Sequence, residues 1–215
     1  MPQSSQSSRP TWPFASSHVS RGLIGLWTGL VAGGLLGLGA YSQRPGPASS
    51  PPAHWPAASV DLAAAESEPT GAMGQLLVFV HPKCPCTRAT IDALAELVAS
   101  HDTSRVTIDV FFYRPLDASD DFLATNTFRR TARIPGIRMH TDVNGAMAAR
   151  ADARTSGAVR FYDSSARLRF QGGLTPSRGH AGDSAALVNL RALVRGEGAA
   201  TLTSPVFGCA ILPEP

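Results

Sequence analysis

The 215 residues are 43% hydrophobic and 16% charged, with a net charge of +3 and a sequence pI near 9.1. Lys83 is the one lysine and the arginines are scattered, so no basic, aromatic-studded face for nucleic acid is expected. Three cysteines are too few for a disulfide scaffold, and the odd count leaves one thiol outside any single bridge, which favours sulfur chemistry over stapling.

Residues 1–21 read as a cytoplasmic N-terminal tail. No charge lies between Arg21 and Arg44, and residues 22–43 are long enough as a helix to cross a hydrocarbon core about 30 Å thick. The apolar core of a cleaved signal peptide is shorter, about 7–15 residues, and ends in a small-x-small site that Leu38 spoils, so an uncleaved anchor is expected. No cysteine precedes Cys84 to carry a lipid instead. Arg9 and Arg21 place the N-terminus in the cytoplasm. The expectation is a single-pass protein of a bacterial inner membrane with its C-terminal domain in the periplasm, where disulfides persist. Gly25, Gly29, Gly33 and Gly37 recur every four residues as a smooth ridge on which a homodimer would form. Residues 44–71 contain Pro45, Pro47, Pro51, Pro52, Pro56 and Pro69 amid Ala and Ser, the composition of a disordered, extended spacer.

A globular pattern occupies residues 72–197. Residues 76–80 form an apolar run suited to a buried strand, and β-branched and aromatic residues 106–113 suit a second. Between them Ile91, Leu94, Ala95 and Val98 fall on one helical face, completing a right-handed βαβ unit with parallel strands. A second helix is expected within 120–132, stopped by Pro135 and Gly136, and a short third within 144–153. Residues 158–163 and 168–171 read as an antiparallel hairpin ended by Gly172 and Gly173, and 184–195 as a last helix capped by Asp183. Residues 198–215 are a tail carrying Cys209, whose neighbours Val206, Phe207, Ile211 and Leu212 point to docking on the domain. Whether docking brings Cys209 to the other thiols or leaves it remote stays open.

The chemistry concentrates at residues 81–87, HPKCPCT, where the first strand hands over to the first helix. With Cys84 as N-cap and Pro85 at the first helical position, Cys84 and Cys86 both feel the positive end of the helix, which stabilises thiolate over thiol. Lys83 and His81 would add to this, with His81 projecting into the same cleft, so an exposed pair with a Cys84 pKa below about 8.5 is expected. A Cys84–Cys86 bridge closes a small ring that should be readily reduced. In the glycine-rich loop 172–183, His180 could approach the thiols and the glycines with Arg178 could cradle an anion, but that loop reads more simply as turn composition.

A cysteine pair at the first strand-to-helix turn of this element order resembles the thioredoxin-like superfamily. More narrowly, HPKCPCT, TSGAVRFYD, GGLTPSRGHAGD and PVFGC, behind an anchor and a linker containing PAHWP, look like bacterial membrane-anchored RedB-type proteins. The resemblance implies an α/β, thioredoxin-like three-layer sandwich with a mixed central sheet, and redox activity. Two departures stand out. The superfamily's CxxC is here CxC, and Gly157 stands where a cis-proline of the substrate groove would be, which makes Gly157 and Pro85 candidate substrate-binding positions beside His81.

Two function classes follow. In a thiol-disulfide oxidoreductase acting on protein thiols or disulfides, Cys84 attacks and Cys86 or Cys209 resolves, with no cofactor. In a metallochaperone-like protein, Cys84 and Cys86 with His81 or Cys209 would form a soft Cu(I) site.

Overall fold

The computed structural model describes residues 17–55, 73–198 and 202–212. The chain divides into two compact units, Met1–Tyr41 and Ser42–Pro215. The first contains helix α1 (Ser17–Ser42), whose stretch Arg21–Ser42 has a mean hydropathy of 1.7 and is long and apolar enough to cross a membrane.

The second unit is built on a six-stranded mixed sheet. In chain order the elements are β1 (Gly74–Val80), α2 (Thr87–Ser100), β2 (Val106–Arg114), a 3-10 turn (Asp120–Leu123), α3 (Asn126–Thr131), β3 (Ile137–Val143), α4 (Ala146–Arg150), β4 (Ala158–Asp163), β5 (Leu168–Gly172), α5 (Ala185–Val194) and β6 (Leu202–Thr203). The strand order is β3-β2-β1-β4-β5-β6, with β1, β2 and β3 parallel and β4 antiparallel to both β1 and β5.

Alternation along β1 sorts the core into two layers, since successive side chains point to opposite faces. Leu76, Val78 and Val80 pack against Ile91, Leu94 and Leu97 of α2 and Leu187, Leu190 and Val194 of α5. Leu77 and Phe79 pack against Trp55, Ala148, Ala151, Tyr162 and Ile211. Helices therefore cover one face, while α4, the end of the linker and the C-terminal tail cover the other, giving a three-layer sandwich with a mixed central sheet.

Several sequence expectations are corrected. Strand β3 was not anticipated, because its Arg138 and His140 look solvent-bound. Both instead bind Asp109 of β2, which is fully buried, at 2.8 and 2.7 Å. The single helix expected within 120–132 is broken into the 3-10 turn and α3, because Thr125 caps α3 by accepting the Phe128 N–H. The last helix is capped by Ser184, which accepts the Leu187 N–H at 3.1 Å, while Asp183 pairs with Arg191. The spacer is not free over 45–55. Trp55 is 2% exposed and packs at a tilt against Tyr162, Leu168 N–H donates to Ala53 O, and Tyr162 Oη donates to Pro52 O. Arg160, fully buried, reaches Ser49 Oγ at 2.8 Å and the Asp152 carbonyl at 3.0 Å. Proline-rich composition disfavours a helix, but a chain without regular structure can also lie along a sheet face. Spacer residues 56–72 lie outside the described residues.

Candidate thiol site

Strand β1, buried from Leu76 onward, ends at Val80, and the chain turns through residues 81–86 before α2 begins at Thr87. The N-cap is Cys86, in helical conformation, two residues later than expected. The reason is local. Thr87 N–H donates to Cys84 O and Ala89 N–H to Cys86 O, both three-residue turns that precede the regular ladder, and Pro85 has no N–H to offer. Thr87 still acts on Cys84 as a capped helix start would, since its N–H and hydroxyl both favour the Cys84 thiolate.

The tail brings the third thiol to this turn. Cys84 Sγ lies 2.8 Å from Cys209 Sγ and accepts the Cys209 N–H at 3.4 Å. The tail is held by an antiparallel bridge between Thr155 and Ala210, in which Ser156 N–H donates to Cys209 O and Ile211 N–H to Arg154 O, each at 2.8 Å. Phe207 and Ile211 are each 6% exposed. Cys84 is thus not open to solvent as the sequence led us to expect: it is 3% exposed, under the tail.

The three sulfurs are electrostatically unequal. Burial raises the Cys84 pKa, but the thiol and N–H of Cys209 and the Thr87 donors outweigh it, leaving Cys84 below its ordinary value. Burial and the proximity of the Cys84 charge raise Cys86, against the pull of Arg178, contrary to the expectation that both turn cysteines would be acidic. Burial and then the hydrogen bond and charge of Cys84 push Cys209 up to about 12. Of this pair, Cys84 is the more readily deprotonated and Cys209 the less.

Arg178 was set aside in the sequence as part of a turn-rich loop, yet its guanidinium faces Cys86 and Cys209. It donates to Gly208 O at 2.6 Å and to Arg44 O at 3.0 Å. An arginine flanked by glycines was the available signal. Lys83 is directed elsewhere, with Nζ 4.1 Å from the Phe122 ring centroid. His81 stacks on Tyr113, its Nδ1 accepts the Lys83 N–H, and burial followed by the Lys83 charge lowers its pKa, so its ring is neutral near pH 7. His180 is exposed, with Nδ1 paired to Ser177 Oγ.

Gly157 faces the turn with φ +93° and donates its N–H to Phe79 O; a Cβ there would sit 2.8 Å from Thr90 Oγ1. Among the described residues there is no cis peptide bond. The adjacent Ser156 Oγ accepts the His81 N–H at 2.8 Å and shares a 2.6 Å hydrogen bond with Thr87 Oγ1, tying this segment to the cysteine turn. Pro85 is exposed. No group of three His, Cys, Asp or Glu side chains suited to a metal is found among the described residues.

No protein-family model matches the chain, and none of the curated proteins does. Solved structures share the fold. A hypothetical protein of Sinorhizobium meliloti superposes with a TM-score of 0.54 at 20% identity, over 66% of this chain and 80% of that one. An uncharacterised conserved protein of Geobacillus kaustophilus gives 0.55 at 17% identity, over 80% and 93%. A secreted Mycobacterium tuberculosis disulfide oxidoreductase homologous to E. coli DsbE gives a looser 0.41 at 17% identity, over 59% and 84%.

Proposed function

We propose that the protein is a membrane-anchored thiol-disulfide oxidoreductase whose working pair is Cys84 and Cys209, with α1 as anchor. The observation that carries this is the 2.8 Å approach of a sulfur with lowered pKa to one with raised pKa. A small movement brings them to the disulfide distance of about 2.05 Å. The Cys84 thiolate attacks a substrate disulfide, forming a mixed disulfide and releasing one substrate thiolate. Cys209, after losing its proton to solvent or to that leaving thiolate, attacks the Cys84 sulfur. A Cys84–Cys209 disulfide forms and the second substrate thiolate departs. The substrate gains two electrons, the protein loses two, and an external dithiol restores the starting state. Run backwards, the same steps oxidise a substrate dithiol.

The first step prepares the second. Once Cys84 is in a mixed disulfide it carries no charge, so the part of the Cys209 elevation that comes from Cys84 disappears while Arg178 remains. Cys86 gains in the same way and is the second thiol able to open either bridge.

The test is turnover of a fluorescent model disulfide by the full chain in detergent. Cys84→Ser abolishes it. Cys209→Ser accumulates a mixed disulfide at Cys84, detectable by mass spectrometry. Turnover that survives Cys84→Ser refutes the assignment.

A further inference from the structure

Resting on the exchange reading above, we propose that tail residues 206–211 occupy the protein's own substrate-receiving edge, and that the partner is an extended, cysteine-bearing peptide segment that displaces them. The pairing at this edge is made by backbone. Ser156 N–H and Arg154 O are each engaged by the tail main chain, so any extended segment offers the same two groups. What the tail adds is a side-chain pattern. Phe207, Cys209 and Ile211 occupy alternate positions of the tail about the single bridge at Ala210, with both apolar members buried and the central sulfur at Cys84.

Gly208 defines a further requirement. A Cβ at this position would collide with the Ser156 carbonyl oxygen, and the Gly208 carbonyl is held by Arg178 at 2.6 Å. The edge therefore accepts apolar, glycine, cysteine, any residue, apolar. Specificity lies in the missing side chain before the cysteine and in the flanking apolar anchors. Because Cys84 is 3% exposed with the tail docked, no protein disulfide reaches it until the tail leaves. A tethered competitor of this kind acts at an effective concentration in the millimolar range, so the tail raises the affinity a partner must have.

The experiment uses the full chain in detergent and, as probe, a fluorescein-labelled peptide of residues 204–212 with Cys209→Ser, read by anisotropy. Gly208→Val in the protein prevents docking of the resident tail, and the probe should bind this variant at least tenfold more tightly than wild type. The probe carrying Gly208→Val itself should bind neither protein. Should the protein variant fold poorly, hydrogen exchange on wild type decides. Excess probe should expose the Ile211 amide while the Ser156 amide stays protected by the incoming backbone. Equal affinity for both proteins, or an Ile211 amide unmoved by saturating probe in wild type, overturns the proposal. These are binding measurements. If they succeed while model disulfides are not turned over, the oxidoreductase reading fails and the peptide edge stands.

Discussion

Oxidation of the protein should stabilise it by an amount that identifies which two cysteines are joined. Cys84 and Cys209 are 125 residues apart in sequence, whereas Cys84 and Cys86 flank a single proline. In the chain-entropy description, closing the long loop removes enough freedom from the unfolded chain to contribute about 5 kcal/mol at 25 °C, and closing the three-residue ring about 2 kcal/mol. The difference of about 3 kcal/mol is large against the error of a urea extrapolation, typically about 10–15%. We would compare oxidised and reduced full-length protein in detergent by urea unfolding, followed by near-UV circular dichroism. The variants are Cys86→Ser, which retains the long bridge, and Cys209→Ser, which retains the short one. The structure requires wild type and Cys86→Ser to gain alike on oxidation, with Cys209→Ser gaining far less. The reverse order, Cys209→Ser gaining as much as wild type and Cys86→Ser gaining nothing, would mean that the turn cysteines pair with each other and that the tail thiol is a bystander.

Thiolate absorbance of the reduced protein should show Cys84 titrating below the ordinary thiol value of about 8.5; Cys209→Ala, which removes the facing S–H donor, should move that midpoint upward, and an unchanged midpoint would deny the pairing. Asp109→Ala should cost about 3–5 kcal/mol in urea unfolding, because it leaves Arg138 and His140 turned toward a buried site without their carboxylate. Burial raises the Asp109 pKa, but hydrogen bonds from His140, Arg138 and Gln75 prevail and lower it. Its stabilisation is therefore complete above the unfolded-state value of about 3.9 and is lost as pH falls through the lower folded-state value, so wild type should show an acid-dependent loss there that the variant lacks. Trp55→Ala should destabilise by about 3–5 kcal/mol, less a contribution from its buried indole N–H, which has no hydrogen-bond partner. Trp55→Phe, which discards that N–H and keeps one six-membered aromatic ring in the gap, should cost less than Trp55→Ala. Equal losses in the two variants would show that burial of the ring is not what holds the linker.

The βαβ core was legible because its signals are local. Residues 76–80 of β1 are an apolar run, β2 is rich in β-branched and aromatic residues, and Ile91 and Leu94 fall on the buried face of α2 as their spacing implies, so burial and pattern agree. Strand β3 was hidden because its register depends on a partner. Only beside Asp109 do Arg138 and His140 belong at a half-buried position, and no local window contains all three. Linker residues 45–55 were misread for a related reason, since composition reports that a segment has no periodic apolar face and says nothing of a single Trp55 that fits a gap beside Tyr162. At the site, the Cys84 acidity was foreseen from its place before a helix. Its main support turned out to be Cys209, which sequence could place near the turn no better than far from it. Arg178 escaped notice because its loop is bounded by glycines and its role rests on two carbonyls distant in sequence.

Those two carbonyls make the tail and the linker one cooperative unit. The guanidinium of Arg178 joins Arg44 O of the linker to Gly208 O of the tail, Gly46 N–H donates to Val206 O at 2.8 Å, and a Cβ at Gly46 would collide with Thr155 Oγ1 in the segment that pairs with Ala210. Lifting the tail off Cys84 therefore strips Gly46 of its acceptor and frees one arm of Arg178. Such a movement breaks backbone hydrogen bonds near the surface and withdraws Ile211 from the layer it shares with Leu77 and Phe79, while the layer built on Leu76, Val78 and Val80 keeps its own packing. An opening that leaves the helix-covered layer intact lies below global unfolding in free energy. Access to the thiolate is thus separable from the stability of the sandwich, and a partner that competes for the Arg154–Ser156 backbone opposes only this local group of interactions.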